Sequence, residues 1–352
     1  MKNEFKNKRI LVTGGTGSIG STIVKHVLQF DPLQVRVLSR DESKQHSLEQ
    51  ECDNDKRLRL LIGDIRDRER VQMAMENVDI VFHAAAMKHV VSCENDPFEA
   101  VKTNVLGTQN VITCALSSKV SKVIGISTDK ATDPVSVMGC TKLLAEKIML
   151  ASRFYSGHKV TRFCFVRFGN VLSTRGSVVP LFYKQIIKGG PVTVTDPKMV
   201  RFFMSIDEAI GLVFEAIKFM NDREIFVLKM PVIRICDLAK AMIEMYAPRL
   251  NLDPEKIKIK ITGAKSGERI NEKLLTKDEA AYALETKKMF IITPVIGVEN
   301  RDSLSAKQFT GIKKSANKDY STEGKRMLSL VEIKEKLMQD EDSLARMVSL
   351  FY

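Results

Sequence analysis

The sequence predicts an α/β protein, with a doubly wound parallel sheet followed by a smaller C-terminal domain. Six short apolar runs alternate with helix-like segments over the first half of the 352-residue chain, which is typical of β-α-β units. A glycine-rich turn stands between the first apolar run and the first helix-like segment, where such folds begin. We expect a first domain over residues 1–168, a second over 169–299, and a C-terminal tail over 300–352.

Length and composition fit a soluble globular protein with one large and one smaller domain. Hydrophobic residues make up 44% of the chain and charged residues 28%, both ordinary values. No apolar run reaches the roughly 18–20 residues that span a bilayer, and the polar, basic start has no apolar stretch of a signal peptide. The six cysteines are scattered without metal-ligand spacing, so we expect reduced thiols, no metal site and a cytoplasmic protein.

The net charge of +12 raises the question of a nucleic-acid partner. Lysines and arginines are dispersed rather than interleaved with aromatic residues in one stripe, and no RNA-recognition or helix-turn-helix signature is present. A basic surface that attracts an anionic small substrate, or a solvated basic exterior, is the favoured interpretation. We therefore expect no nucleic-acid partner.

The glycine turn follows the first predicted strand, Arg9–Thr13, and reads G-x-x-G-x-x-G. Gly14 permits a tight turn, Gly17 lets the backbone approach a pyrophosphate, and Gly20 lets the helix lie close to the strand. An ordinary flexible turn is the alternative, but the strand–turn–helix context favours a Rossmann-like dinucleotide-binding domain. The residues of this turn predicted to bind the cofactor are Gly14, Thr16, Gly17, Ser18 and Ile19.

The second predicted strand, Val35–Ser39, indicates which dinucleotide binds. Its end carries Ser39-Arg40-Asp41, with Lys44 one turn further on. An acidic residue here typically holds the free ribose 2′-hydroxyl of NAD, whereas basic residues suit the 2′-phosphate of NADP. Arg40 and Lys44 favour NADP, while Asp41 keeps NAD open; a helix N-terminus with exposed charges is the structural alternative.

The third and fourth predicted strands, Leu58–Ile62 and Asp79–His83, add further cofactor residues. Asp64 is predicted to meet the adenine amine, and Ile65 to lie against the adenine face. After the fourth strand, small residues suit close contact with the cofactor, and these are Ala84, Ala85 and Ala86. Lys88 lies on the same rim, whereas His83 and His89 are expected to have structural roles.

The fifth predicted strand, Val123–Ile126, leads into the stretch with the densest chemistry, Ser127–Lys142. It contains a hydroxyl, an acid and two amines, and these are Thr128, Asp129, Lys130 and Lys142. Loops at the carboxyl ends of parallel strands are where doubly wound folds place their chemistry. The stretch therefore predicts a proton-transfer site.

The remaining elements are predicted from apolar patterns. Helices are expected at 101–115 (which carries Asn104), 136–155, 234–246, 267–275 and 329–338, and a helix opening near Val178 offers free amides to a phosphate. Strands are expected at 160–168, 225–228, 256–261 and 289–293. The tail after residue 300 is predicted to contact a neighbouring subunit.

These motifs together resemble the extended short-chain dehydrogenase/reductase superfamily, through Gly14–Gly20, Ala84–Ala86, Ser127 and Lys142. More narrowly, the chain is similar to UDP-N-acetylglucosamine 4,6-dehydratases of capsule, O-antigen and flagellin-glycan synthesis. The shared motifs are Ser39–Glu42, Ser127–Ala131, Phe168–Val171, Arg175–Pro180 and Arg201–Phe202. Tail residues Tyr320-Ser321 and Leu328–Leu337 point to the capsular, C5-inverting branch.

The resemblance implies an NADP-dependent hydro-lyase, in which C4 of the sugar is oxidised, water is eliminated across C5 and C6, and hydride returns to C6. Asp129 would protonate the leaving hydroxyl and Lys130 would take the C5 proton, which requires a lowered pKa that the charge of Lys142 could supply. A surface ammonium is the alternative for Lys130. Lys142 would bind the nicotinamide ribose and bias the C4 hydroxyl.

One position departs from the superfamily pattern, because Met138 stands where a tyrosine usually exchanges a proton with the substrate. Methionine has no proton to exchange, and core packing is the alternative interpretation of this residue. The C4 proton would then pass to Thr128, to Asp129 through water, or to Lys130.

The resemblance also implies a UDP-N-acetylglucosamine site and a homo-oligomer, a hexamer being one candidate. Arg201, Arg175 and Ser177 would bind the diphosphate, and Glu268 the uridine ribose. The full set of expected substrate residues is Lys88, Asn104, Asn170, Arg175, Ser177, Val178, Thr195, Arg201 and Glu268. The alternatives are a C5-retaining dehydratase, a nucleotide-sugar epimerase and an NADP-sensing regulator.

Overall fold

The strands and helices of this computed structural model are described for residues 1–152, 161–265, 267–294, 312–316, 318–341 and 344–345. The strands are β1 (Arg9–Thr13), β2 (Gln34–Ser39), β3 (Leu58–Ile62), β4 (Ile80–His83), β5 (Lys122–Thr128), β6 (Arg162–Phe168), β7 (Asn170–Val171), β8 (Val192–Val194), β9 (Val200–Met204), β10 (Glu224–Leu228), β11 (Val232–Arg234), β12 (Ile259–Ile261), β13 (Lys273–Leu275), β14 (Ala283–Glu285), β15 (Met289–Ile292), β16 (Lys313–Lys314) and β17 (Tyr320–Ser321). The helices are α1 (Lys2–Phe5), α2 (Ser18–Leu28), α3 (Glu42–Glu51), α4 (Arg68–Ala74), α5 (Val90–Asn95), α6 (Pro97–Ala100), α7 (Gly107–Ser117), α8 (Val137–Ala151), α9 (Val178–Ile187), α10 (Ile206–Phe219), α11 (Ile235–Tyr246), α12 (Lys277–Ala280) and α13 (Leu330–Gln339).

A ten-stranded sheet organises the chain, in the order β16-β14-β15-β10-β6-β5-β4-β1-β2-β3. Strand β1 is parallel to β2 on one side and to β4 on the other, and parallel pairing continues from β4 through β5 and β6 to β10. Strands β15, β14 and β16 complete the far edge in antiparallel orientation. The predicted doubly wound, Rossmann-like sheet is confirmed.

The central strands are buried and mostly apolar because helices cover both faces of the sheet. All four residues of β4 are buried, as are Phe163–Phe168 of β6. Since these strands are parallel, the loops that follow β1, β4, β5 and β6 emerge at one edge. That shared edge brings together segments that are far apart in the sequence.

A separate apolar core lies in the C-terminal half, around Phe182 of α9 and Met242 of α11. Helix α13 of the tail joins this core through Ile333 and Leu337, both buried. The described part of the tail therefore packs on its own chain. The division after residue 168 stays a prediction, because the larger core also contains later residues such as Phe226 and Phe290. The predicted boundary at 299/300 lies outside the described residues.

An ion-pair network around the fully buried Arg167 ties β6 to α8 and α12. Arg167, with 0% exposure, donates to both carboxylate oxygens of Glu146 at 3.2 and 2.6 Å and to both of Glu279 at 3.0 Å. Its fifth N–H donates to the carbonyl of Leu274 at 3.0 Å. All five guanidinium donors are thus used. Burial acts against the charge, but the two glutamates outweigh it and raise the pKa of Arg167.

Several predicted elements differ in the structure. The helix predicted over 267–275 is wrong: Gly267 has a left-handed φ of +79°, and residues 273–275 form β13, antiparallel to β17. Residues 101–106 form a π-helical turn before α7, and the strand predicted from 256 begins at Ile259, because Pro254–Lys256 form a 3₁₀ turn. Of the helix predicted to 155, residues 153–155 lie outside the described part, as does residue 160 of the predicted strand.

Among the described residues, helices are all too short or too polar to cross a bilayer.

Candidate active site

The glycine turn after β1 is built for close backbone approach. Gly14 has a φ of +66°, and a Cβ atom on it would lie 2.7 Å from the Ala85 Cα atom. A Cβ atom on Gly20 would lie 2.4 Å from the Gly14 carbonyl oxygen. Helix α2 then begins at Ser18, after Gly17, without a side-chain cap. Its N-terminal amides and positive dipole end suit an anion such as the diphosphate of a dinucleotide.

The residues predicted to choose between NADP and NAD are largely paired with one another. Asp41 caps α3 by accepting from the Lys44 amide at 3.0 Å, and the Lys44 ammonium bonds to the same carboxylate. Asp64 accepts from the Arg66 guanidinium at 2.7 and 2.9 Å, whereas the Arg40 guanidinium is 3.6 Å away. Arg40 is 63% exposed. It is therefore the cation of this group with the least local compensation.

The other predicted cofactor residues line the same edge of the sheet. Ser39 ends β2, where its carbonyl and hydroxyl both accept from Gln45, and Ala84–Ala86 follow directly after β4. Ile65 is buried, and a Cβ atom on Gly107 would lie 2.6 Å from its Cδ1 atom. The close packing of α7 on Ile65 therefore requires glycine at 107.

An acid and an amine face each other in the turn that follows β5. The Lys130 ammonium donates to Asp129 Oδ1 at 3.0 Å, and the Thr128 hydroxyl donates to the same oxygen at 2.8 Å. Asp129 is only 1% exposed, and its Oδ2 atom is buried without a hydrogen-bond partner in the described part of the chain. A buried carboxylate oxygen normally has a partner, so this atom indicates a place for a ligand group or water.

Two further charges surround the pair, one of which the sequence did not single out. The Lys130 ammonium lies 3.3 Å from Glu272 Oε1, and the Arg201 Nε atom lies 3.4 Å from the same oxygen. Glu272 stands directly before β13, in the segment predicted as a helix, and it is not among the predicted site residues. We call Asp129, Lys130, Glu272 and Arg201 the catalytic-edge cluster.

The electrostatics of Lys130 contradict the sequence-based expectation of a lowered pKa. Burial acts to lower the pKa of Lys130, but Asp129 and Glu272 outweigh it, so that the pKa is raised. The expected lowering is therefore wrong, because the carboxylates of Asp129 and Glu272, at 3.0 and 3.3 Å, favour the ammonium form. Lys130 is therefore a cation at neutral pH.

Lys142 is the lysine whose pKa is lowered instead. Its ammonium donates to the Ile126 carbonyl at 2.6 Å, and the residue is buried in α8. Burial lowers the pKa of Lys142 to about 8, against the attraction of Glu146. A lysine in this state changes charge close to neutral pH.

Met138 and Asn104 have packing contacts that account for their positions. Met138 is 3% exposed and lies in a small apolar cluster with Cys93 and Ala100. Asn104 accepts from the Met87 amide at 2.7 Å and donates to the Met87 carbonyl at 3.0 Å. The amide of Asn104, predicted to bind substrate, therefore holds the loop after β4.

His83 is a neutral structural residue. Its Nδ1 atom lies 2.7 Å from the Thr13 hydroxyl and its Nε2 atom 3.0 Å from the Thr108 hydroxyl, which itself donates to the Asn104 carbonyl. Burial lowers the pKa of His83 to about 3. The ring therefore stays neutral and bridges β1, β4 and α7.

The two arginines predicted to share one diphosphate lie against different parts of the site. Arg175 donates from its amide to the Ser18 hydroxyl at 3.0 Å and from Nη1 to the Thr16 carbonyl at 3.1 Å. Lys88 donates to the Arg175 carbonyl at 2.6 Å. Arg175 therefore rests on the glycine turn, whereas Arg201 belongs to the catalytic-edge cluster.

The remaining predicted substrate residues lie around these two groups. Ser177 precedes α9, which begins at Val178, and both the Ser177 hydroxyl and Asn170 Oδ1 are buried without a partner among the described residues. Thr195 donates to the Met199 sulfur at 3.1 Å, and a Glu268 carboxylate oxygen accepts from the Lys265 amide at 3.0 Å. Unpartnered buried polar atoms thus occur at Asp129 in the turn after β5, at Asn170 on β7 and at Ser177 before α9.

The described residues contain no cluster of three or more histidine, cysteine or acidic side chains that could hold a metal ion. The arrangement instead supplies an anion site at α2, a lysine whose charge changes near pH 8, and an acid–amine pair with an unpartnered oxygen. Together these groups suit proton transfer beside a bound dinucleotide.

Sequence comparisons relate the chain to other proteins over most of its length. A family model described as "Polysaccharide biosynthesis protein" matches residues 10–294. A UDP-glucose 4-epimerase of Rickettsia canadensis is 40% identical over 340 residues, which cover 95% of this chain and 96% of that protein. An uncharacterized membrane protein of Methanocaldococcus jannaschii is 52% identical over 294 residues, which cover 84% of this chain and 88% of that protein.

Solved structures show the same fold. Pen from Bacillus thuringiensis superimposes with a TM-score of 0.88 at 44% identity, over 96% of this chain and 99% of that one. DesIV, a dTDP-glucose 4,6-dehydratase from Streptomyces venezuelae solved with NAD bound, gives a TM-score of 0.67 at 24% identity, over 74% of this chain and 86% of that one.

Proposed function

The chain belongs to the polysaccharide biosynthesis protein family of extended short-chain dehydrogenases/reductases, and from that membership we propose that it is a UDP-N-acetylglucosamine 4,6-dehydratase, the C5-inverting kind, using NADP. The observation that carries the proposal is the Asp129–Lys130 pair, in which an acid with an unpartnered oxygen touches an amine. Elimination of water needs both an acid and a base at neighbouring carbons, and this pair provides them.

The glycine turn, Arg40 and Lys142 are the groups proposed to hold NADP. The uncapped start of α2 would meet the diphosphate, Arg40 the 2′-phosphate, and Lys142 the nicotinamide ribose. NADP, when bound, supplies the hydride acceptor for sugar C4 and the hydride donor for C6. The chain's own residues then carry the proton transfers.

The Asp129–Lys130 ion pair differs from the reactive pair by the position of one proton. With the proton on Lys130, neither residue has the form that elimination needs. Moving the proton along the 3.0 Å contact to Asp129 gives a neutral amine and a neutral acid without changing the net charge. The amine can then take the C5 proton, which a C4 ketone acidifies, while the acid protonates the leaving C6 hydroxyl.

Met138 has no part in proton exchange in this scheme. The C4-hydroxyl proton therefore passes to Thr128, to Asp129 through water, or to Lys130. Thr128 already donates to Asp129 Oδ1 at 2.8 Å, so a proton accepted there would be connected to the carboxylate. UDP would lie against the buried, unpartnered Asn170 and Ser177 atoms and near Arg201.

Incubating the purified protein with UDP-N-acetylglucosamine and either NADP or NAD tests the proposal. We expect a product lighter by one water molecule, with inverted C5 configuration by NMR and faster formation with NADP. A product of unchanged mass would contradict a dehydratase, and retained C5 configuration would contradict the inverting assignment alone.

A 4-epimerase is the second candidate, because curated relatives at 40% identity carry that name. Epimerisation at C4 returns hydride to the same carbon and requires no proton transfer at C5. In deuterated water, a 4-epimerase would leave C5 unlabelled, whereas the dehydratase would introduce deuterium there. A regulator that only senses NADP would bind the dinucleotide but would not convert UDP-N-acetylglucosamine.

The remaining parts of the proposal are a cytoplasmic homo-oligomer acting in surface-polysaccharide synthesis. The six cysteines are all unpaired thiols, as suits a reducing compartment. Sedimentation of the purified protein measures the oligomer size, and a monomer at micromolar concentration would contradict that part.

A further inference from the structure

Glu272 belongs to the catalytic-edge cluster, although nothing in the local sequence predicts a functional role for it. It is 4% exposed, and its Oε1 atom is 3.3 Å from the Lys130 ammonium and 3.4 Å from Arg201 Nε. A carboxylate buried between two cations favours the protonated form of each. The four charges of the catalytic-edge cluster, two acids and two bases, then sum to zero.

The C-terminal tail fixes the backbone of Glu272. The Glu272 amide donates to the Thr322 hydroxyl at 3.1 Å, and the Thr322 amide donates to the Glu272 carbonyl at 2.9 Å. Tyr320, two residues earlier on β17, accepts from the amide and donates to the carbonyl of Met230 through its hydroxyl, at 2.9 and 3.1 Å, and its ring stacks on Phe202. The carboxylate is therefore presented by an anchored segment of β-structure.

The groups that face Lys130 come from three elements. Asp129 lies in the turn after β5, Glu272 precedes β13, and Arg201 lies on β9. The two carboxylates favour the protonated amine and Arg201 opposes it. Asp129 cannot by itself keep Lys130 protonated, because the proposed reaction requires Asp129 to accept the proton that Lys130 releases.

We infer that Glu272 is a positioning residue that holds the shared proton on Lys130 and keeps the ammonium aligned with Asp129. This inference rests on the proposed dehydratase function for its role in catalysis, but not for its effect on Lys130. Removing the Glu272 charge would leave Asp129 as the remaining carboxylate of the catalytic-edge cluster that offsets Arg201 beside Lys130. The proton would then leave Lys130 at lower pH.

A titration of Lys130 in the full-length protein tests the inference without any turnover. Lysines are labelled by reductive ¹³C-methylation, and the Lys130 resonance is identified by its absence from K130R. In E272Q we expect the Lys130 midpoint to fall by about one pH unit or more, as for loss of an opposite charge within about 4–6 Å. E272D keeps the charge and should largely restore the midpoint.

D278N is the matched control, because Asp278 is an exposed carboxylate on the next short helix, α12. It should leave the midpoint unchanged. An unchanged midpoint in folded E272Q, or an equal shift in D278N, would overturn the inference. Should E272Q fail to fold, the same titration is read on E272A and E272D, which must differ from each other in midpoint.

The kinetic arm follows water loss from UDP-N-acetylglucosamine against pH. The alkaline limb of kcat/KM should move to lower pH in E272Q by the shift measured for Lys130. T322V keeps all four charges but removes the hydroxyl that holds Glu272, so kcat should fall several-fold with the midpoint unchanged. Unaltered kcat in T322V would refute the part of the inference that concerns the tail.

Should no UDP-sugar lose water, the proposed function fails while the titration still decides the effect of Glu272 on Lys130. Should water loss occur with an unshifted titration, the proposed function stands and the inference about Glu272 fails.

Discussion

The molecule contains two buried groups of opposite charges that look alike in composition and differ in completeness. Around Arg167, five donors meet five acceptors, and the guanidinium is 0% exposed. In the catalytic-edge cluster, Lys130 is 28% exposed and one oxygen of Asp129 has no partner among the described residues. A satisfied network specifies structure, whereas an unsatisfied one retains capacity for a ligand.

The difference also appears in what each group holds in place. Arg167 joins β6 to α8 and α12, so its contacts fix three elements of the fold. Lys130 joins the turn after β5 to the segment before β13, and its contacts span the edge where substrate is proposed to bind. Substitution should therefore reduce stability in the first group and activity in the second.

The largest expected effect is the loss of stability in R167A, which tests the structural role of the first group. Removing the guanidinium leaves the buried Glu146 and the largely buried Glu279 without their partner, which should cost about 3–5 kcal/mol of unfolding free energy. Urea unfolding measures the loss. R162A, on the exposed first residue of the same strand, is the control and should stay within about 0.5 kcal/mol of the wild type. A loss below about 1 kcal/mol in R167A would contradict the structural role.

The second prediction is a loss of activity with little change in stability. K130A should reduce water loss from the sugar by about 100-fold or more, because no other amine contacts Asp129 in the described structure, while NADP binding and unfolding change little. Lys273 supplies a matched control, since it is also 28% exposed and pairs with Asp133 at 2.8 Å. K273A should keep activity within about twofold. Full activity in K130A would remove Lys130 from the mechanism.

Lys142 tests whether a buried charge at the edge is maintained at a cost to stability. Burial lowers its pKa to about 8 from 10.5, so between these values the unfolded chain binds more protons than the folded one. Unfolding free energy should therefore rise with pH through this window, by on the order of 3 kcal/mol relative to K142M. The measurement is urea unfolding from pH 7 to 10.5. Parallel curves for wild type and K142M would contradict the lowered pKa.

The smallest expected effect is at Met138, which lies at the edge but is proposed to be packing only. M138L conserves volume in the cluster with Cys93 and Ala100, and should cost less than about 1.5 kcal/mol with activity within about twofold. Steady-state kinetics and thermal unfolding measure both. A tenfold fall in kcat in a stable M138L would show that the thioether takes part in the reaction.

The part of the fold that follows local patterns could be predicted from the sequence. Alternating apolar runs and the turn around Gly14 identified the parallel sheet, since strand, turn and helix are each specified by adjacent residues. The helix expected over 267–275 was wrong because Lys273–Leu275 pairs with Tyr320–Ser321. Such long-range pairing overrides local preference and leaves no local signal.

The candidate site divides in the same way. Asp129 and Lys130 are neighbours in sequence, so their pairing could be predicted, as could their place at a strand end. The raised pKa of Lys130 could not, because Glu272 reaches it from a segment that the tail holds in place. The contact of Arg175 with Thr16 and Ser18 was likewise hidden, since it depends on how the second half of the chain folds back over the first.

The bond between Thr322 and Glu272 has a consequence for the order in which the molecule is made. Translation releases the glycine turn, β5 and Asp129 early, whereas Thr322 leaves the ribosome after most of the chain has been synthesised. A nascent chain can therefore form its dinucleotide-binding sheet well before Glu272 is anchored. Until then Lys130 lacks its second carboxylate, so the proposed proton-transfer group is completed after the residues proposed to bind the dinucleotide.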